Sequence, residues 1–225
     1  MKRNYSVDTL KCLCAILVVF LHVSTPLSGY YIPITRCAVP CFFIISGYLM
    51  YAVDNMDLKI NKSLKKIFII TMWSTALFAI MKLSIAYKND DFSFLSLTAL
   101  CNMILFNENP FGFHLWYLMA YLYVLLIVKW AYRKRSLNIL YIAIPFLLLT
   151  DLVFGKYSLL IWGREFNYIY MRNFAFVGIP YFTIGMLLKK YSDKILSCTR
   201  LNTSVLSGGG NNICNNIIVR KIDTV

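Results

Sequence analysis

The sequence predicts an all-α fold, a polytopic bundle of transmembrane helices with about six spans. Of the 225 residues, 59% are hydrophobic and only 15% are charged, whereas soluble domains have roughly 45–50% apolar and about 25% charged residues. The apolar residues form long runs, most near the roughly 17 to 25 residues that cross a bilayer as a helix. Lys and Arg flank these runs, as is typical of membrane proteins.

The predicted spans follow one another along the chain with short loops between them. They lie at about 12–28, 37–53, 67–87, 115–131, 138–154 and 173–188. The first run is too long for a cleaved signal peptide and no small-residue cleavage site follows it, so we expect a retained span. A further apolar run at 94–106 is short. The distribution of Lys and Arg residues indicates whether it crosses the membrane.

The distribution of basic residues predicts the orientation of the spans. If 94–106 does not cross and the N-terminus is cytoplasmic, the inner side has 14 Lys and Arg residues through Lys194 and the outer side has five. If 94–106 crosses, the numbers become 10 and nine. Because cytoplasmic loops are enriched in Lys and Arg, we expect the first arrangement, with 94–106 interfacial or re-entrant. The net charge of +13 then faces anionic lipid, and we expect no nucleic-acid partner.

The first predicted helix places polar residues in an apolar stretch that runs from Asp8 to His22. At about 100° and 1.5 Å per residue, Lys11 and His22 share one face, roughly 16 Å apart along the axis. A titratable side chain in a membrane helix is costly unless it faces a partner or a water-filled cavity, so this pair is a functional-site hypothesis. The alternative is that Lys11 is a boundary charge and His22 bonds to a neighbouring helix.

Most other polar residues in or beside the spans fall on the predicted outer side, where His22 also lies. They are Arg36, His114, Asp151, Arg164, Glu165 and Arg172. Asp151 and Arg172 are also explained as caps or pairs at helix ends, and His114 as part of an interfacial aromatic belt. A functional role and a purely structural role both stay open for these residues.

Two motifs resemble those of the acyltransferase family 3 membrane proteins, which transfer acyl groups to sugars, lipids and other envelope molecules. In that family the first helix carries a basic residue, ten intervening residues and a histidine, which fall here on Lys11 and His22, with lysine in place of the usual arginine. The second motif, Arg then Pro, aromatic residues and Ser-Gly-Tyr, falls on 36–48, RCAVPCFFIISGY. The segments 114–118, HLWYL, and 178–188, GIPYFTIGMLL, are similar to further family landmarks.

The resemblance implies transfer of an acyl group, in the simplest case acetyl, from acyl-CoA to a hydroxyl of a cell-envelope carbohydrate or related acceptor. His22 would be the catalytic base, because a histidine can take the proton of an attacking alcohol near neutral pH. Lys11 would attract the donor phosphates at the inner end of the helix, and Asp8 would pair with Lys11 or orient it. Substrate-binding roles are expected for Arg36, His114 and Arg172.

The resemblance also implies partners and a location. Acetyl-CoA or another acyl-CoA would be the donor substrate, with no tightly bound cofactor, and the acceptor would approach from outside. None of the seven cysteines forms a CxxC pair, so we expect no metal site. The protein would be integral to the lipid bilayer of a bacterial cytoplasmic membrane, with a cytoplasmic N-terminus.

The Ser46-Gly47 pair is interpreted as a helix-packing element rather than a nucleophile. The sequence has no G-x-S-x-G elbow, and small residues let membrane helices approach closely. Phe42 and Phe43 are likewise interpreted as packing residues.

Members of the family usually have roughly ten spans, which at about 20 residues each need a longer chain. Residues 1–190 therefore correspond to a partial domain, and we expect a truncated product. The polar tail, 191–225, is rich in Asn, Ser, Thr and Gly and is expected to be disordered or foreign to the domain. Two alternatives to an active enzyme remain: an inactive fragment, or a serine-transport domain similar to the membrane half of the serine racemase linked to glycopeptide resistance.

Overall fold

The computed structural model describes residues 5–23, 26, 28–51, 55–192 and 194. The chain divides into two units, 1–187 and 188–225, and the helix contacts and cavities discussed below belong to the first. Most of the polar tail lies outside the described residues, so its disorder stays a prediction, as does the domain boundary at 190.

The described residues form nine α-helices and no strand, which confirms the predicted all-α class. The helices are α1 Tyr5–His22, α2 Ser28–Thr35, α3 Ala38–Met50, α4 Met56–Asn89, α5 Leu97–Phe106, α6 Trp116–Arg133, α7 Leu137–Thr150, α8 Ser158–Trp162 and α9 Ile179–Lys190. Short 3₁₀ turns lie at Ser93–Leu95, Phe113–Leu115 and Tyr168–Tyr170, and π-helical turns at Asp151–Lys156 and Phe174–Gly178.

Five segments in the described part of the chain are long and apolar enough to cross a membrane. They are Tyr5–His22, Gly29–Met50, Met56–Asn89, Phe113–Arg133 and Leu137–Lys156. The sixth predicted span, 173–188, forms a π turn of 5 residues followed by the 12 residues of α9. Together they are at the lower limit of the roughly 17 to 25 residues that cross a bilayer. The 10 residues of α5 extend about 15 Å, half of a hydrocarbon core of about 30 Å, so α5 cannot cross alone.

Two helix boundaries differ from the predicted spans for identifiable reasons. The first span was predicted to reach residue 28, but α1 ends at His22. A proline ring clashes with the carbonyl four residues earlier, so Pro26 prevents the helix from continuing past this point. The third span was predicted to begin at 67, but α4 begins at Met56. Its lysines lower the local hydropathy without lowering helix propensity, so the helix continues beyond the apolar run.

Helix α6 is the centre of the bundle. It packs against α4, α7 and the π turn that precedes α9. One α6 face is buried at four-residue intervals, through Trp116, Ala120, Val124 and Val128. This spacing keeps the side chains on one stripe of a helix with 3.6 residues per turn, and the stripe forms the main hydrophobic core.

Helix α1 packs against α3 in a second hydrophobic cluster. The buried residues of this cluster are Cys14, Ala38 and Ile45. Because the two helices are antiparallel neighbours, the C-terminal end of α1 lies beside the N-terminal end of α3. This places His22 near the first turns of the second motif.

Helices α3 and α9 cross at two glycines. A Cβ atom on Gly47 would overlap the backbone carbonyl of Phe182, and one on Gly185 would overlap the carbonyl of Ile44. The packing interpretation is therefore confirmed for Gly47. Phe43 is fully buried, with its ring 4.8 Å from that of Tyr117, which confirms its interpretation as a packing residue.

Candidate functional site

Three of the predicted site residues line one cavity of about 280 Å³, which we call the histidine cavity. His22 reaches it from the end of α1, His114 from the turn before α6, and Arg172 from the segment before α9. The remaining wall is formed by Ala15, Val18, Leu21, Val39, Phe42, Trp116 and Tyr117. Most of this wall is apolar, so the two imidazoles and the guanidinium face an otherwise weakly polar space.

The two imidazole rings lie side by side in an aromatic cluster. The ring centroids of His22 and His114 are 6.2 Å apart, with 73° between the ring planes. Phe78 packs edge-on against His114 at 4.5 Å, and Phe113 lies 6.1 Å from His22. This spacing lets a single hydroxyl oxygen lie within reach of both rings, since each hydrogen bond needs only about 2.6–3.2 Å.

Arg172 places a positive charge in the same cavity. Its guanidinium carbon lies 4.7 Å above the ring of Trp116, which is itself buried at the start of α6. A cation over an indole face is attracted to it by about 0.5–2 kcal/mol. The helix-end explanation offered for Arg172 is thus incomplete, because the side chain also faces the histidine cavity.

Asp151 forms an ion pair within its own helical turn. Its carboxylate lies 3.6 Å from the ammonium of Lys156, five residues later in the π turn. A π-helical turn brings residues at this spacing to the same side. The predicted pairing at a helix end is confirmed for Asp151.

Asp8 and Lys11 pair near the other end of α1. Their ion pair is 3.5 Å long, and both side chains are well exposed, at 38% and 40%. The predicted contact is therefore present. Neither residue lines the histidine cavity, because Lys11 lies roughly 16 Å from His22 along the helix axis. Their catalytic and donor-binding roles stay predictions.

Arg36 is the one predicted substrate-binding residue that lines neither cavity. It occupies the turn between α2 and α3, is exposed, and lines neither of the two cavities. Within the described residues, its guanidinium makes no side-chain hydrogen bond or ion pair. Since Arg36 does not line the cavity that holds His22, its substrate-binding role stays a prediction.

A larger cavity of about 560 Å³ meets the histidine cavity at His114, which lines both. Its polar lining includes residues that the sequence interpretation did not select: Lys82, Ser96, Thr98, Asn102, Glu108 and Asn109. Two signals were present in the sequence. Lys82 is a charge inside a span, and Asn107-Glu108-Asn109-Pro110 is a polar tetrapeptide between apolar runs.

The loop that carries these residues is fixed to α4 by side chains. The ammonium of Lys82 donates a hydrogen bond of 2.6 Å to the carbonyl of Pro110 and lies 4.9 Å above the ring of Phe94. The amide of Asn109 donates to the hydroxyl of Thr75 at 3.0 Å. These bonds satisfy a charge and an amide at membrane depth, and they give the larger cavity a preformed wall.

Neither cavity offers a metal site. No group of three or more His, Cys, Asp or Glu side chains is placed to hold a metal ion anywhere in the part of the chain that the structure describes. The polar side chains that line the histidine cavity include two imidazoles and a guanidinium.

Comparison with known proteins gives a family match. A family model described as an acyltransferase domain matches residues 4–210. The matched range includes both histidines, Arg172 and the lining of both cavities. No curated protein and no solved structure gives a significant match.

Proposed function

The chain belongs to the acyltransferase domain family, whose model matches most of its length, and on this basis we propose its reaction. The protein is an integral membrane acyltransferase that moves an acyl group, in the simplest case acetyl, from acyl-CoA to a hydroxyl of a cell-envelope carbohydrate or related acceptor. The observation that carries the proposal is the histidine cavity, which combines two imidazoles, a cation and an apolar wall.

His22 acts as the general base. The acceptor hydroxyl lies between the imidazoles, His22 takes its proton, and the oxygen attacks the thioester carbonyl carbon. The tetrahedral intermediate then collapses, the carbon–sulfur bond breaks, and the CoA thiolate leaves and takes the proton from His22, which restores the base. General base catalysis of this kind contributes typically 10²- to 10⁴-fold to a rate.

Arg172 supports the proposal as the group that stabilises the oxyanion. Attack on the thioester places a negative charge on the carbonyl oxygen, and a cation already held in position stabilises it without reorganising. The contact between the Arg172 guanidinium and the Trp116 ring supports this role, because it favours a position of the cation beside the cavity. The apolar residues of α1 and α3 in the cavity wall accommodate the acyl group, which carries no charge.

Lys11 attracts the donor at the inner end of α1. Its ammonium interacts with the CoA phosphates, and the thioester extends along the helix toward His22. Asp8 holds Lys11 in place through their ion pair, in which Oδ1 of the carboxylate lies 3.5 Å from the ammonium.

The proposal is tested by measuring the release of free CoA. Membranes that contain the full chain are given acetyl-CoA with and without an envelope glycan, and the same assay is repeated with His22→Ala at equal expression. We expect glycan-dependent release that the substitution abolishes. Equal release by the His22→Ala protein would exclude His22 as the base. Expression-dependent uptake of labelled serine without CoA release would favour the transport alternative.

A further inference from the structure

The larger cavity has the size and position of a second substrate site. Its volume of about 560 Å³ lies within the roughly 300–1,000 Å³ of small-molecule sites. It meets the histidine cavity at His114. Because His114 lines both cavities, a ligand that fills the larger one lies next to one of the two imidazoles.

The charges in this cavity favour an uncharged ligand. The ammonium of Lys82 is engaged by the carbonyl of Pro110 and the ring of Phe94. The carboxylate of Glu108 accepts a long hydrogen bond of 3.4 Å from the amide of Asn102, and both side chains are half-buried. A carboxylate has about four acceptor sites, so Glu108 can accept from two neighbouring hydroxyls while the Asn102 amide donates and accepts. This combination suits a ligand that carries several hydroxyl groups.

The apolar part of the lining favours a ring over an open chain. Phe113 lines the cavity and is 57% exposed, with its ring 5.9 Å from that of His114. An exposed aromatic face at a polar site provides a surface on which the C–H face of a pyranose packs. A glycerol headgroup or a linear polyol has no comparable flat apolar face.

We propose that the larger cavity binds the acceptor as an uncharged sugar ring. Glu108 and Asn102 hold hydroxyl groups of the ring, Phe113 packs on its face, and one hydroxyl points past His114 into the histidine cavity. The inference rests on the proposed function in one respect, namely that this sugar receives the acyl group. Glu108, Asn102 and Phe113 act as positioning residues.

Binding is tested without turnover, by saturation-transfer NMR on the full chain in phosphatidylcholine nanodiscs. The probes are the methyl glycosides of glucose, galactose, mannose and N-acetylglucosamine, with sorbitol as the open-chain polyol. We expect at least one glycoside to bind, and Glu108→Gln to weaken this binding about tenfold, since a hydrogen bond to a charged acceptor is roughly twice as strong as one to a neutral acceptor. The matched control is Glu165→Gln, an exposed carboxylate that lines neither cavity.

Any one of three results would exclude the sugar site. They are the absence of binding by all four glycosides, unchanged binding in both Glu108→Gln and Phe113→Ala, and equally tight binding of sorbitol. Phe113→Leu provides a second test that keeps a large apolar side chain, and we expect it to weaken glycoside binding while the protein stays folded.

A kinetic experiment separates the two proposals. If CoA release occurs, Glu108→Gln should raise the KM for the bound glycoside about tenfold, with a smaller change in kcat. Normal KM values in this variant would exclude the sugar site and leave the acyltransferase reaction standing. Sugar binding without any CoA release would exclude the acyltransferase reaction and leave the sugar site standing.

Discussion

The imidazole rings of His22 and His114 lie 6.2 Å apart, although one ends α1 and the other precedes α6. They meet because the chain direction brings the C-terminal end of α1 and the N-terminal end of α6 to the same end of the bundle. His22 lines only the histidine cavity, whereas His114 also lines the larger one. The two residues therefore have different access to a substrate that occupies the larger cavity.

The histidine pair predicts non-additive kinetics. His22→Ala should lower kcat by about 10²- to 10⁴-fold, because the base is lost. His114→Phe keeps an aromatic ring against Phe78, so we expect it to lower kcat less than His22→Ala does. If both imidazoles act on one hydroxyl, the double variant should be little slower than His22→Ala alone. Initial rates of CoA release from the four proteins check this, and a loss equal to the product of the single effects would contradict it.

Arg172 and Arg164 form a matched pair for testing the oxyanion role. Both guanidinium groups stack on an aromatic ring, at 4.7 Å from Trp116 and 4.8 Å from Phe166, but only Arg172 lines the histidine cavity. Removing one oxyanion donor costs about 10²- to 10³-fold in kcat, and we expect Arg172→Gln to fall in this range. The kcat of Arg164→Gln should stay within about twofold of the wild-type value. Similar losses in both variants would show that the effect comes from stacking rather than from the cavity.

The sequence predicted α1 and His22 because these features depend on local information. A long apolar run determines a membrane helix, and a lone histidine at a fixed distance from a basic residue is visible in the chain itself. The pairing of Asp8 with Lys11 followed from helical spacing in the same way. Each of these inferences needs only one helix.

The larger cavity could not be predicted from the sequence because it depends on contacts between separate elements. Lys82 lies in α4, and Pro110 lies in the loop before α6, so their hydrogen bond requires the packed arrangement of α4 and α6. Hydropathy identified Lys82 only as a charge within a span. Arg36 shows the opposite case, since its motif is visible in the sequence but the α2–α3 turn places it outside both cavities.

The crossing of α3 and α9 predicts a sharp dependence on glycine. Gly47→Ala and Gly185→Ala should each destabilise the protein by about 1–3 kcal/mol, because a Cβ atom at either position meets backbone rather than a movable side chain. Gly29→Ala is the control, since nothing lies within 4 Å of a Cβ atom there. Alanine is the better helix former, so this control should be neutral or slightly stabilising. Thermal unfolding in detergent, followed by size-exclusion chromatography with fluorescence detection, checks the three variants, and equal midpoints for all of them would exclude the close crossing.

The orientation of the bundle decides which side supplies the acceptor. Lys134 follows α6 and Arg164 follows α8, so the span Leu137–Lys156 separates them. With the native cysteines replaced, Arg164→Cys should react with an impermeant maleimide on intact cells, and Lys134→Cys only after permeabilisation. The C-terminal end of α1 and the N-terminal end of α6 lie on the same side as Arg164, so this result places the histidine cavity toward the outer face. Labelling of Lys134→Cys from outside would show that the bundle has the opposite orientation. The acceptor would then have to be a cytoplasmic molecule.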